Sequence, residues 1–191
     1  MNQKNLLEVD WSQIPAPKDD GAADHLVGLA IPPVNLVATD DTSVTLSALR
    51  GRSVVFAYPR TGEPGKISLV DDWDMIPGAR GCTPQTCSFR DLFAELKAAG
   101  AQHVFGLSTQ SNAYQTEMAS RLHLPFPVLS DERLELTRAL DLPTMEVAGL
   151  VLIKRLALII DNARITHVFY PVFPPDRNAG DVLEWLKENP V

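Results

Sequence analysis

Apolar positions along the chain fall into short runs whose period alternates between that of strands and that of helices. Val34-Asn35-Leu36-Val37 and Ser43-Val44-Thr45-Leu46 have strand spacing and flank Asp40-Asp41, which suits a hairpin turn. Val54-Val55-Phe56-Ala57-Tyr58 is a continuous apolar run of the kind found in a strand covered on both faces, and Pro59 ends it. Phe89, Leu92, Phe93 and Leu96 recur at helical spacing, with Gly100 as the stop signal. Val104-Phe105-Gly106-Leu107-Ser108 reads as a second core strand, Ser111 caps a helix running to about Leu122, and Phe126 to Leu129 reads as a short strand. Asp131 caps another helix through Leu140. Leu156 to Ile160 and Ile165 to Phe169 read as strands joined by a turn over 161–164, and a closing helix runs from about Ala179 to Lys187. Interleaved strands and helices with a late hairpin predict an α/β fold: a mixed β-sheet flanked by helices, with an N-terminal β-hairpin extension.

Two segments stand outside this pattern. Residues 1–27 hold Pro15, Pro17, Asp19, Asp20 and Gly21 with scattered apolar side chains, and read as an arm laid over a domain of 28–191. Residues 60–81 form a long connection punctuated by glycine and proline, and loops of that length in compact domains are functional or disordered. A length of 191 residues suits one core. The net charge of -7, with no basic cluster, gives no reason to bind nucleic acid or an anionic membrane, so small molecules or proteins are the expected partners. The opening residues lead into no apolar segment and Leu150 to Ile160 is broken by Lys154 and Arg155, so the expected setting is soluble and cytoplasmic.

Cys82 and Cys87 are the only cysteines, too few to staple a fold of this size, so their position carries the information. They lie in Gly81-Cys82-Thr83-Pro84-Gln85-Thr86-Cys87-Ser88-Phe89-Arg90-Asp91, the first at the entrance of a helix directly after a loop. Bringing a thiol from its usual pKa of about 8.5 to about 6 takes roughly 3.4 kcal/mol of anion stabilisation. A helix N-terminus supplies only about 0.3 to 2 kcal/mol of it. The remainder has to come from hydrogen-bond donors and a cation, so a working site needs an arginine from elsewhere in the chain. Residues five apart in a regular helix have Cα atoms about 8.7 Å apart, whereas a disulfide needs them within about 7 Å. If the two cysteines pair, the first turns of the helix must unwind.

At these residues the sequence resembles the peroxiredoxins, and within them the bacterioferritin-comigratory or Q class. Gly81-Cys82-Thr83 with Cys87 and Phe89-Arg90-Asp91 resembles that class's active-site helix, and Tyr58-Pro59 resembles the strand end that leads to it. Gly106-Leu107-Ser108, Leu129-Ser130-Asp131-Glu132 and the run from Arg155 to Asp161 fall in the same order as the family's later segments. The resemblance spans about Gly28 to Leu186. It implies a thioredoxin-like fold and a thiol-dependent peroxidase without a bound cofactor. In that family Cys82 would reduce hydrogen peroxide or an organic hydroperoxide, become a sulfenic acid, and be resolved by Cys87 as an intramolecular disulfide. A thioredoxin- or glutaredoxin-type reductant would reopen the disulfide, and the protein would be a monomer or homodimer. Arg155 matches the family arginine that lies across from the helix.

The family usually places proline seven and threonine three residues before the reactive cysteine, where this chain has Met75 and Ala79. An insertion within 62–80 is the implied cause. Pro59 and Thr61 sit correctly after the strand and are expected to shield the thiolate and orient the peroxide, with Thr83 as the competing hydroxyl and Arg80 as a second cation. Asp71, Asp72 and Asp74 should face solvent, because an acidic cluster beside Cys82 would disfavour a thiolate. Trp73, Met75 and Ile76 are candidates for a lid. His25, His103, His123 and His167 lack metal-ligand spacing, and no glycine-rich phosphate loop follows a strand, so neither a metal nor a flavin or nicotinamide is expected. Two rival functions share the fold: a protein disulfide oxidoreductase, which normally carries C-x-x-C, and a metal-binding module, which needs a closer cysteine pair and a positioned histidine.

Overall fold

The computed structural model describes residues 9–191, so residues 1–8 of the expected arm lie outside it. The strands are β1 (Asn35–Ala38), β2 (Ser43–Thr45), β3 (Arg52–Ala57), β4 (His103–Ser108), β5 (Val128–Ser130), β6 (Thr144–Val147), β7 (Leu150–Ile153), β8 (Leu156–Asp161) and β9 (Arg164–Phe169). The helices are α1 (Cys82–Asp91), α2 (Phe93–Ala98), α3 (Asn112–Arg121), α4 (Glu135–Leu140) and α5 (Asn178–Glu188). Seven strands form a mixed sheet in the order β2-β1-β5-β4-β3-β8-β9, and β6 and β7 pair apart from it. The N-terminal hairpin extends the main sheet at one edge, through β1 lying antiparallel to β5. Among the described residues no helix is long and apolar enough to cross a membrane.

The continuous apolar run of β3 is explained by its place between parallel β4 and antiparallel β8, with a core on each face. Val54, Phe56 and Tyr58 join Cys82, Phe89, Leu96, Met118 and Val182 on one side. Val55 and Ala57 join Leu26, Leu36, Leu136 and Leu140 on the other. The described part of the arm is tied down at several points. The Trp11 indole donates to Asp176 (2.9 Å), Asp20 accepts from Lys154 and from the Tyr170 hydroxyl, and Ala23 and Leu26 enter the core.

Three local features differ from the sequence pattern. The helix expected through Phe89 and Leu96 is two helices broken at Leu92, although both residues still reach one core. Asp131 caps from a distance: α4 begins only at Glu135, and the carboxylate accepts the N–H groups of Leu136 (3.1 Å) and Thr137 (2.7 Å) across a turn in which Leu134 has φ 59°. The β6–β7 hairpin has no counterpart in the expected elements. Its turn holds Ala148 and Gly149 at φ 51° and 76°, and alanine is a residue rarely found there, so the usual Asn-Gly signal is missing.

The Phe89 and Phe56 rings stack at 4.0 Å with 4° between their planes, which pins α1 to β3. Phe89→Ala is expected to cost about 3 to 5 kcal/mol of stability, read as a lower urea midpoint at unchanged slope.

Candidate active site

Gly81 sets the position of the reactive helix. Its φ is 104°, and a Cβ there would stand 2.6 Å from Pro175 Cγ and 2.7 Å from Trp11 Cη2, so only glycine serves. Cys82 is therefore the first residue of α1, 3% exposed, with Sγ 3.5 Å from the Ala79 carbonyl and 3.2 Å from Arg155 Nη2. Arg155 immediately precedes β8, and Leu156 pairs with Ala57, so the strand start carries the guanidinium to the end of β3 where the loop to α1 departs.

Arg155 is 2% exposed, and among the described residues none of its acceptors is a carboxylate. Nη2 faces the carbonyls of Gly78 (3.2 Å), Ala79 (3.2 Å) and Arg80 (3.0 Å) as well as the sulfur, while Nη1 donates to Gln85 Oε1. Gln85 lies one turn after Cys82 on the same side of α1, is fully buried, and donates in turn to Asn178 Oδ1 of α5 at 2.9 Å. Arg155 Nε is buried and has no acceptor among the described residues. Gln85 and Asn178 were not singled out in the sequence. The three-residue step from Cys82 was the only available signal for Gln85, and nothing local marks Asn178.

Cys87 shares α1 with Cys82, and both are free, buried thiols. Burial pushes the Cys87 thiol up from its ordinary value; nearby Arg90 opposes this. Tyr58 is buried beside Cys82, its hydroxyl donates to Gln115 (2.9 Å), and burial, assisted by the Cys82 charge, raises its phenol well above the usual range. Thr61 and Pro59 follow β3, and their hydrogen bonds run to Gln110 and Ser108. The Thr61 N–H (2.9 Å) and hydroxyl (3.2 Å) both donate to Gln110 Oε1, and the Pro59 carbonyl accepts from Ser108 (3.2 Å). Ala79, buried and without a hydroxyl, is the residue whose backbone reaches Cys82. Thr83 is buried in the first turn of α1, and Arg80 is paired with Asp74 at 2.9 Å. Asp71 and Asp72 are exposed, Met75 is largely exposed, and Trp73 packs inward with Ala79, Val147 and Leu152. No cluster of three or more potential metal ligands occurs among the described residues.

A buried cysteine at a helix start thus faces a buried arginine just before β8, on a mixed sheet of the thioredoxin-like kind. The chain belongs to the Redoxin family, whose model matches residues 26–183. The resemblance to the Q class is met by its relatives. Chloroplastic peroxiredoxin Q of Oryza sativa subsp. japonica is 29% identical over 161 residues, 84% of this chain and 66% of that protein. The chloroplastic peroxiredoxin Q of Sedum lineare is 28% identical over 161 residues, 84% of this chain and 77% of that one. This chain thus spans just under two thirds of the rice protein's length. Among solved structures, peroxidoxin BcpB from Mycobacterium tuberculosis shares the fold with a TM-score of 0.69 and 24% identity, covering 86% of this chain and 98% of that one. A mutant of Xylella fastidiosa PrxQ does so with a TM-score of 0.67 and 22% identity, covering 85% and 95%.

Because burial favours the neutral Cys87 thiol, its ionisation in the folded protein should need a higher pH than in an unfolded peptide. In Cys82→Ser, the pH of half-maximal alkylation of Cys87 by iodoacetamide is expected to lie above that of a peptide of the same local sequence, and to fall back to it in denaturant.

Proposed function

We propose that this chain is a thiol-dependent peroxidase that reduces hydroperoxides at Cys82 and resolves the product with Cys87. The observation that carries this reading is the contact of Cys82 Sγ at 3.2 Å with the buried Arg155, which meets no carboxylate among the described residues. A permanently charged guanidinium withdrawn from water favours an anionic sulfur and, next to it, the negative charge that develops on a leaving oxygen. The Cys82 thiolate attacks the terminal oxygen of ROOH, an S–O bond forms, and the O–O bond breaks. The leaving RO⁻ takes its electron pair and picks up a proton to give ROH, and Cys82 becomes a sulfenic acid.

The Cys87 thiolate then attacks the Cys82 sulfur, the S–S bond forms, and hydroxide leaves and is protonated to water. Both sulfurs stand within one α-helix, so this step requires the first turns of α1 to open, which also relieves the burial that disfavours the Cys87 thiolate. A dithiol of the thioredoxin or glutaredoxin type supplies two electrons and two protons to restore both thiols. The free thiols suit a reducing compartment, the cytoplasm in this reading. Thr61 would have to leave Gln110 for its hydroxyl to orient a peroxide, so the orienting donors in the resting structure are those of Arg155.

In stopped-flow mixing with hydrogen peroxide, Cys82→Ser should consume none, whereas Cys87→Ser should complete one rapid turnover and trap a sulfenic acid. Equal loss of the first turnover in both would reverse or remove the roles. Arg155→Met is expected to slow that first turnover about 100-fold or more, the scale of losing a preorganised donor to developing charge. In the oxidised protein, with the 82–87 disulfide confirmed by mass spectrometry, amide-exchange protection should be lost from about Thr83 to Phe89 and kept at Leu96. Equal protection in both redox states would show that the disulfide forms without unwinding.

A further inference from the structure

Trp11 and Pro17 of the arm precede residues 26–183, the part of the chain that matches the Redoxin model, yet both reach the loop that leads into Cys82. A Cβ on Gly81 would meet Trp11 Cη2 at 2.7 Å and Pro175 Cγ at 2.6 Å, so the residue before the reactive cysteine is held by the arm and by the segment that runs into α5. The indole is itself fixed. Its N–H donates to Asp176 at 2.9 Å, and its ring meets Phe173 edge-on, with centroids 6.0 Å apart. Farther along the arm, Pro17 stands 3.6 Å from the place of a Cβ on Gly78, whose carbonyl accepts from Arg155. Asp20 then accepts from Lys154, the neighbour of Arg155, and from Tyr170. The arm therefore touches the loop of residues 78–81 at both ends and is tied down beside the strand start that carries the cation.

The two halves of the reaction ask opposite things of this place. Attack on a peroxide needs α1 wound, with Cys82 against Arg155, and the groups that hold Arg155 all come from outside the arm. Joining Cys82 to Cys87 needs their Cα atoms closer than a wound helix allows. The Gly81 carbonyl accepts the first helical bond of α1, from the Gln85 N–H at 3.0 Å. Cys82 swings toward Cys87 only if the chain turns at Gly81, and a ring packed on Gly81 opposes that turn. We propose that Trp11 is a positioning residue for the resolving step: the arm is a strap across the start of α1 that holds the wound form and has to lift from Gly81 before the disulfide closes. This rests on the peroxidase reading above and places control of its second step in a segment outside the Redoxin match. A contact made only in the wound form biases the helix toward that form by its own differential free energy, so removing it speeds opening and leaves the closed site as it was.

The test separates the two steps. Reduced full-length protein is mixed with one equivalent of hydrogen peroxide, and acid-quenched samples are resolved by mass spectrometry into thiol, sulfenic acid and disulfide. Trp11→Ala should form the sulfenic acid within about twofold of the wild-type rate and convert it to disulfide about tenfold faster. Trp11→Phe, which keeps a ring but has no N–H for Asp176, should fall between. An unchanged conversion rate would show that α1 opens without the arm, and an equal change in both steps would reduce Trp11 to general support; either overturns the proposal. Because a variant can misfold, the wild-type protein carrying 5-fluorotryptophan is followed by fluorine NMR while diamide, an azo compound that takes two electrons and two protons from a pair of thiols, closes the disulfide. The Trp11 resonance should move toward that of a solvated indole while that of Trp185 on α5 stays. A Trp11 resonance that holds its place in the disulfide form, equal movement of both, or failure of diamide to join the two cysteines overturns the strap. A protein that forms no sulfenic acid with peroxide would instead sink the peroxidase reading, and the diamide experiment still decides the strap.

Discussion

A guanidinium buried with no carboxylate partner among the described residues is the constraint around which the rest of this structure is arranged. Taking such an ion out of water costs several kcal/mol unless other groups replace its hydration. Here the replacement comes from the carbonyls of residues 78 to 80, the Gln85 amide and the Cys82 sulfur. Each partner imposes a condition on the chain. The insertion has to end with three carbonyls converging on one nitrogen, α1 has to begin at Cys82, and β8 has to start beside the end of β3. A carboxylate in place of any of them would satisfy the arginine more fully and leave less of its charge for the sulfur.

Gln85 transmits this arrangement to the far side of α1. Its amide accepts from Arg155 and donates to Asn178, so α5 is connected through α1 to the cation by two buried hydrogen bonds. A neutral side chain can accept and donate at once, which a carboxylate cannot. The geometry of Arg155 is thereby held by groups that carry no charge of their own.

Much of this was readable along the chain, wherever the signal is local. The double burial of β3 shows in its unbroken apolar run, the Ser111 cap of α3 in its own side chain, and the helix-start cysteine in the Gly81-Cys82 step. Arg155 could be singled out only through resemblance, because no period marks which cation will meet a distant cysteine. The Thr61–Gln110 contact joins residues 49 apart, and the β6–β7 turn places Ala148 in a conformation its side chain does not advertise. Gln85 was within sight on the helix face, but its partner on α5 lies 93 residues on and was not. What the sequence hides is long-range pairing, where the tertiary fold chooses among many equivalent polar groups.

The separation of Cys82 from Arg155 by 73 residues also has a meaning during synthesis. The cysteine is made long before its cation, and Pro175, which packs on Gly81, comes later still. A growing chain therefore carries Cys82 with neither the buried guanidinium beside it nor the packing that fixes the helix start. The meeting of this sulfur with a buried guanidinium is a property of the whole fold, completed only when the last third of the chain is in place.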